Sequence, residues 1–357
     1  MALSVRSFAF PGSTSHDGVK AFPLLSLSQH QRRCSASNGL QLRMAATSSE
    51  EFTGKNLWSV EECLTEYQSN KDNVQFLDAT WFHKGQRNGK AEFLAGPRLP
   101  GAHYWDIVDL SCSYELFPEQ NPKKLFAMFP PEKLVAAAFD WMKITPEKSL
   151  IVYAREGTRF TPRTWYMLKQ YCAQNQVIGL MQGSIEEWIE KGGPIDKQRL
   201  EESTSNVCQA KNLVASNRDP KYPVSQNARD RLVDMDYILG FLEKDKSCRP
   251  TILDTRGSSF AKGHIPGAIH VPYSSLTDED STIRLKSKEE LAKILQEKLG
   301  DNVYSNLSKV PALLTCGSAV SVCHLALAFK ELGFPDPMIY DGSWNEWGKD
   351  TDTPKAV

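Results

Sequence analysis

Two kinds of hydrophobic pattern alternate along this chain. Short apolar runs bounded by turn residues, such as "TILD" (251–254) and "ALLT" (312–315), are too brief for helices and read as buried strands. Longer stretches space their apolar residues along one face of a helix. "KEELAKILQEKLG" (288–300) places Leu291, Ile294, Leu295 and Leu299 at helical intervals and stops at Gly300. "SVCHLALAFKELG" (321–333) is apolar almost all round, which predicts a buried helix. Strands alternating with helices predict an α/β fold with a mainly parallel sheet covered on both faces.

The pattern occurs twice. "VQFLDAT" (74–80) answers to "PTILDTR" (250–256), and "RLPGAHYWDI" (98–107) to "GHIPGAIHVPY" (263–273). "SLIVYAREG" (149–157) answers to "PALLTCGSA" (311–319), and "MQGSIEEWIEKGGP" (181–194) to "YDGSWNEWGKDTDTP" (340–354). In the last pair Gly183 and Trp188 have the spacing of Gly342 and Trp347. Four matches in one order imply two copies of one domain, at 55–194 and 231–352. The stretch 195–230, rich in Asn, Ser, Asp and Lys, reads as a linker.

A length of 357 residues accommodates two domains of ordinary size. A net charge of −1 argues against a nucleic-acid binder, which needs a basic surplus. No apolar run approaches the length of a membrane-spanning helix. The eight cysteines include no C-x-x-C pair, which fits neither a zinc site nor a dithiol redox motif. Inert thiols in a reducing compartment are expected instead. The first 48 residues are rich in Ser and Ala and carry Arg6, Lys20, Arg32, Arg33 and Arg43 against one acid, Asp17. They read as an organelle transit peptide, for a chloroplast ahead of a mitochondrion.

Cys316 stands where a strand ends and a loop of small residues begins. In an open parallel sheet that is where ligands bind. Successive backbone N–H groups in such a loop form an anion-binding concavity, and the helix behind adds its positive end. Both favour thiolate, the nucleophilic form of cysteine. A cysteine phosphatase would need an Arg six positions after the nucleophile, to hold phosphate bidentately; here that position is Val322. The remaining chemistry is sulfur transfer through a covalent persulfide. Other residues read as structural: His264 and Gly267 shape a loop, His324 and Cys323 lie on the buried helix, and Trp188 and Trp347 anchor cores.

The loop Cys316-Gly317-Ser318-Ala319-Val320-Ser321 resembles the C-G-S-G-V-T loop of 3-mercaptopyruvate sulfurtransferases, within the two-domain rhodanese family. Gly263-His264-Ile265-Pro266-Gly267-Ala268 resembles that family's G-H-I-P-G-A, and Asp341-Gly342-Ser343-Trp344 its D-G-S-W. The resemblance implies two tandem rhodanese-like domains, an inactive first and a catalytic second; Ala154 indeed stands in the first copy where Cys316 stands in the second. It implies Cys316 as persulfide carrier in its loop (Gly317, Ala319, Val320, Ser321), Ser318 as the group polarising the substrate, and Arg256 as carboxylate binder. Thiosulfate-using relatives carry cations beside the cysteine, as in C-R-K-G-V-T; the uncharged loop here points to mercaptopyruvate as donor. Cyanide, a small thiol or thioredoxin is the implied acceptor, and no metal or organic cofactor is implied. A persulfide-carrying module without turnover is the alternative. Two family features differ. Ala127 stands where the family has a histidine partnering an aspartate, for which Asp109 is the candidate, and an insertion bearing a second Arg is missing before Gly263. Arg159, with Arg155, is expected to supply the missing charge.

Overall fold

The computed structural model describes residues 54–83, 87–201, 207–245, 249–278 and 284–357. The predicted transit peptide lies outside the described residues. Strands β1 (Leu57–Trp58), β2 (Val74–Asp78), β3 (His103–Tyr104), β4 (Ser149–Ala154) and β5 (Ile178–Ser184) form one parallel sheet in the order β1-β5-β4-β2-β3. Strands β6 (Leu232–Val233), β7 (Ile252–Asp254), β8 (Ile269–His270), β9 (Leu313–Thr315) and β10 (Met338–Tyr340) form a second, β6-β10-β9-β7-β8. The two orders are one order, as the internal repeat requires. The central strands β7 and β9, the "TILD" and "ALLT" runs, pair Leu253 with Leu314 and are buried throughout, because helices cover both faces.

The first sheet is covered by α1 (Val60–Ser69), α2 (Gly89–Ala95), α3 (Glu132–Met142), α4 (Thr161–Tyr171) and α5 (Ile185–Glu190). Helix α6 (Ala210–Ser216) follows. The second sheet carries α7 (Met235–Leu242), α8 (Lys288–Leu299), α9 (Asp301–Leu307), α10 (Val322–Glu331) and α11 (Ser343–Trp347). Helix α8 has the predicted apolar face and begins at a Ser287/Glu290 capping box. Gly300, at φ 72°, ends it in a conformation that suits glycine, and α9, which the pattern did not disclose, starts directly afterwards. The stretch 195–230 contains α6 and is held along the first half. Asp196 bridges Arg98, Val207 bridges Tyr104, and the Tyr222 ring lies 4.6 Å from that of Phe139.

Helix α10 is apolar all round because it has two neighbours. One face covers its own sheet and the other packs on α4, its counterpart in the first half, so Val322 to Phe329 are all buried. One hydrophobic core therefore runs through both halves, with Trp165 and Leu168 of α4 in the same cluster as Leu325 and Phe329 of α10. The polar contacts across the halves are paired in the same way. Gln182 of the first half accepts the Leu285 N–H of the second at 2.8 Å, and its counterpart Asp341 accepts the Phe129 N–H of the first at 3.1 Å. Glu187 pairs with Arg284, and its counterpart Glu346 with Lys123 at 2.8 Å. This reciprocity is that of a twofold dimer interface built within one chain. The repeat extends to details: Trp188 Nε1 donates to the Pro194 carbonyl at 2.9 Å, and Trp347 Nε1 to the Pro354 carbonyl at 2.8 Å.

His324 sits in this interface, 5.2 Å from the ring of Tyr273 and 6.1 Å from that of Phe160. Burial pushes its pKa down to about 4. The folded protein thus holds a neutral imidazole that the unfolded chain protonates below its ordinary value of 6.5. The unfolded state binds the extra proton between those limits, so the group's contribution is intact above pH 6.5 and is lost as pH falls toward 4. At about 1.4 kcal/mol per pH unit, the wild type should lose roughly 3 kcal/mol over this window relative to His324→Phe. Urea unfolding of both proteins at pH 7 and pH 4.5 measures the difference.

Candidate active site

Strand β9 delivers Cys316 into the loop that leads to α10. The residue is 1% exposed and forms part of the floor of a cavity of about 820 Å³ between the two halves. Ser343, at the start of α11, holds the loop. Its hydroxyl accepts the N–H groups of Cys316 (3.3 Å) and Ala319 (3.1 Å) and donates to the Tyr340 carbonyl at 2.7 Å. The next two residues tighten the same turn: Trp344 N–H donates to the Cys316 carbonyl at 3.0 Å, and Asn345 N–H to that of Gly317 at 2.9 Å. Ala319 adopts φ 52°, a left-handed conformation that costs a non-glycine residue about 1–2 kcal/mol.

The concavity is therefore narrower than the sequence predicts. The Cys316 and Ala319 amides are spent on Ser343, and Ala319 is fully buried and does not line the cavity. Gly317, Ser318, Val320 and Ser321 do line it, and their amides make no hydrogen bond among the described residues. Arg256 lines it as well. Its Nε and Nη2 are held by Asp254, with Nη2 at 2.7 Å from Oδ2, and Nη2 also donates to the Gly263 carbonyl at 2.8 Å. The guanidinium carbon lies 4.3 Å from the centroid of the Trp344 ring. Nη1 is buried and makes no hydrogen bond within the protein. Among the described residues no group of His, Cys, Asp and Glu is placed to hold a metal ion.

Three sequence candidates are placed elsewhere. The Arg155 guanidinium is buried in the first half, where Nη2 donates to the carbonyls of Pro97 and Glu92. Arg159 is exposed and is not among the cavity's lining residues; its neighbour Phe160 is. The Asp109 carboxylate accepts the Ala210 N–H at 2.9 Å, tying α6 to the first half, and likewise does not line the cavity. For Arg155 and Asp109 an interaction distant in sequence decides where the charge goes, and Arg159 is left to solvent.

Two residues had no role assigned from sequence. One is Ser343. The other is Asp341, two positions earlier, whose buried carboxylate accepts the Phe129 N–H. Burial pushes its pKa up, opposed by the charges of Arg163 and Arg229. Arg163 donates to the Ala127 carbonyl at 2.9 Å with its guanidinium carbon 3.2 Å from the Phe129 ring centroid, and Arg229 donates to the carbonyls of Phe129 and Pro130, both at 2.9 Å. The segment from Ala127 to Pro130, which lacks the family's histidine, is thus clasped to the turn that supports the cysteine loop. The D-G-S-W resemblance was the available signal; the first copy has Gln182 and Ser184 at the same places, where Ser184 only caps α5.

Removing the Ser343 hydroxyl as Ser343→Ala leaves two buried N–H groups unpaired, at about 1–3 kcal/mol each. Urea denaturation should report a loss of roughly 2 kcal/mol or more. Among the described cysteines Cys316 is the one that lines the cavity. Burial pushes Cys63 and Cys112 up, and pushes Cys172, Cys208 and Cys323 up to about 12. At pH 7.5 iodoacetamide should modify Cys316 at least about tenfold faster than any of these five, read by peptide mass spectrometry.

Comparison with known proteins agrees with this architecture. A rhodanese-like domain family matches residues 240–350. The probable 3-mercaptopyruvate sulfurtransferase of Schizosaccharomyces pombe is 30% identical over 302 residues, covering 79% of this chain and 90% of the relative. The thiosulfate sulfurtransferase of Rattus norvegicus is 28% identical over 282 residues, 77% of this chain and 85% of the relative. The crystal structure of SseA from Escherichia coli superposes with a TM-score of 0.61 at 24% identity, over 81% of this chain and 99% of that one, and shares the fold. The doubled parallel sheet, the cysteine loop and these relatives together place the chain in the two-domain rhodanese family of sulfurtransferases.

Proposed function

We propose that this protein moves a sulfur atom from the thiol of 3-mercaptopyruvate to a thiol acceptor through a persulfide on Cys316. The observation that carries the reading is the cavity itself: Cys316 is the one described cysteine that lines it, together with loop residues whose amides are unpartnered and with Arg256, whose Nη1 makes no hydrogen bond within the protein. The Cys316 thiolate attacks the donor's sulfur and the carbon–sulfur bond breaks. The sulfur stays on Cys316 as a persulfide, and the bonding pair leaves as the enolate of pyruvate, which takes a proton. Arg256 holds the donor's carboxylate, and the Ser318 hydroxyl and the loop amides stabilise the negative charge developing on the ketone oxygen.

Charge supports the choice of donor. Arg256 is the only Arg or Lys lining the cavity among the described residues, which matches one carboxylate better than the dianion thiosulfate. Thioredoxin and small thiols are both chemically competent acceptors, since each offers a thiolate to the outer sulfur. The first 48 residues are proposed to direct the chain to an organelle, a chloroplast ahead of a mitochondrion.

Incubation with each donor separately, followed by intact-mass measurement, tests the proposal. Mercaptopyruvate should add one sulfur, Cys316→Ser should abolish the gain, and kcat/KM for mercaptopyruvate should exceed that for thiosulfate by about tenfold or more. Arg256→Lys should raise KM for mercaptopyruvate about tenfold, the worth of a charge-assisted hydrogen bond. No gain from either donor would leave a persulfide-carrying module that is loaded by another protein.

A further inference from the structure

The cavity above Cys316 is much larger than a three-carbon donor needs. Its volume of about 820 Å³ falls in the range of roughly 300–1,000 Å³ that accommodates drug-sized ligands. The donor's requirements are met by the loop and Arg256. Much of the remaining lining is a wall of rings. Trp81 lies 6.0 Å from Phe126 and 5.5 Å from Phe160, and Phe160 lies 5.6 Å from Tyr273. All four line the cavity. Phe126 is 39% exposed, an aromatic face left uncovered at the mouth. The Thr158 hydroxyl fixes Trp81 by accepting its N–H at 3.2 Å and donating to its carbonyl at 2.9 Å.

Three of these rings come from the first half, which has Ala154 where the second has its nucleophile. We propose that this wall is the acceptor subsite, and that the acceptor is a small thiol carrying an aryl or heteroaryl ring. The inference rests on the proposed sulfur transfer and names the second substrate of the same site. The sulfur step balances without any further reagent. The acceptor thiolate attacks the outer sulfur of the Cys316 persulfide, and the sulfur–sulfur bond to Cys316 breaks with its electron pair returning to Sγ. The product is the acceptor's persulfide, which keeps the proton on its terminal sulfur.

The selectivity follows from what the wall lacks. With Arg256 committed to the donor's carboxylate, no Arg or Lys remains among the described lining residues. His83 also lines the cavity, 5.5 Å from Trp81, and is the one further described lining side chain there that can carry positive charge. A thiol bearing two carboxylates, such as glutathione, gives up hydration there with at most that one ionic partner. A planar ring replaces water on an apolar surface and gains edge or offset-stacked contacts with Trp81 and Phe126.

The test uses the full chain loaded with sulfur from mercaptopyruvate and compares kcat/KM for phenylmethanethiol, cyclohexylmethanethiol, 2-mercaptoethanol and glutathione. Phenylmethanethiol should exceed 2-mercaptoethanol and glutathione by about tenfold, with the cyclohexyl thiol between them, as expected for an aromatic contact added to apolar burial. Phe126→Ala, a change at the exposed mouth, should collapse the phenyl-to-cyclohexyl ratio toward one. Equal rates for all four thiols overturn the inference. So does reduced thioredoxin outrunning every small thiol with no effect of Phe126→Ala. Protection of unloaded Cys316 from iodoacetamide by phenylmethanol, but not by ethanol, reads the wall independently of loading. Failure to load with intact protection would sink the donor reading alone, and loss of protection in wild type would sink this one.

Discussion

The Ser343 hydroxyl uses its whole hydrogen-bonding capacity in one place. It accepts two amides from the cysteine loop and donates to the carbonyl of Tyr340 at the end of β10. The loop between β9 and α10 contains a left-handed alanine, a conformation that does not persist unaided. With Ser343 in place the turn is closed from below, two amides are satisfied and the others line the cavity. The shape of the loop that carries the sulfur depends on that oxygen together with the Trp344 and Asn345 amides.

Ser343 is in turn held from across the molecule. Asp341 reaches the Phe129 amide of the first half, while Arg163 and Arg229 neutralise its buried charge and hold the carbonyls nearby. A buried carboxylate with these partners resists removal of any one of them, because the others would be left uncompensated. The first half thus supports the loop through the backbone of the segment that carries Ala127. Its relation to the second half is nearly that of a dimer partner, with Gln182 and Glu187 making the reciprocal contacts.

Duplication explains why the halves differ where they do. Equivalent positions hold Ala154 and Cys316, Gln182 and Asp341, Ser184 and Ser343. The shared fold places each pair at the same strand end or helix start. In the second copy these positions place the cavity's cysteine, hold its loop and tie it to the first half; in the first copy Gln182 joins the halves and Ser184 caps α5. The first copy keeps its ligand-binding strand ends, but they present the rings of Trp81 and Phe160 to the neighbour's cysteine.

Much of this was legible from residues alone. Apolar runs and helical spacing identified β7, β9, α8 and α10, because burial of a strand or of one helix face leaves a local periodic trace. The matched segments disclosed the doubled fold, and the seam between an apolar run and small residues singled out Cys316. Charged side chains left no such trace. Arg155 and Asp109 went to carbonyls and an amide close in space and far along the chain, and Arg159 to solvent. The same distance hid Ser343's grip on the loop and the ring wall of the cavity. Periodicity reports how a segment meets the core, and the sequence determined that much by itself. Which polar atom finds which partner was decided only when two sheets packed together, since a hydrogen bond requires positions within about 3 Å and sequence spacing does not encode them across elements.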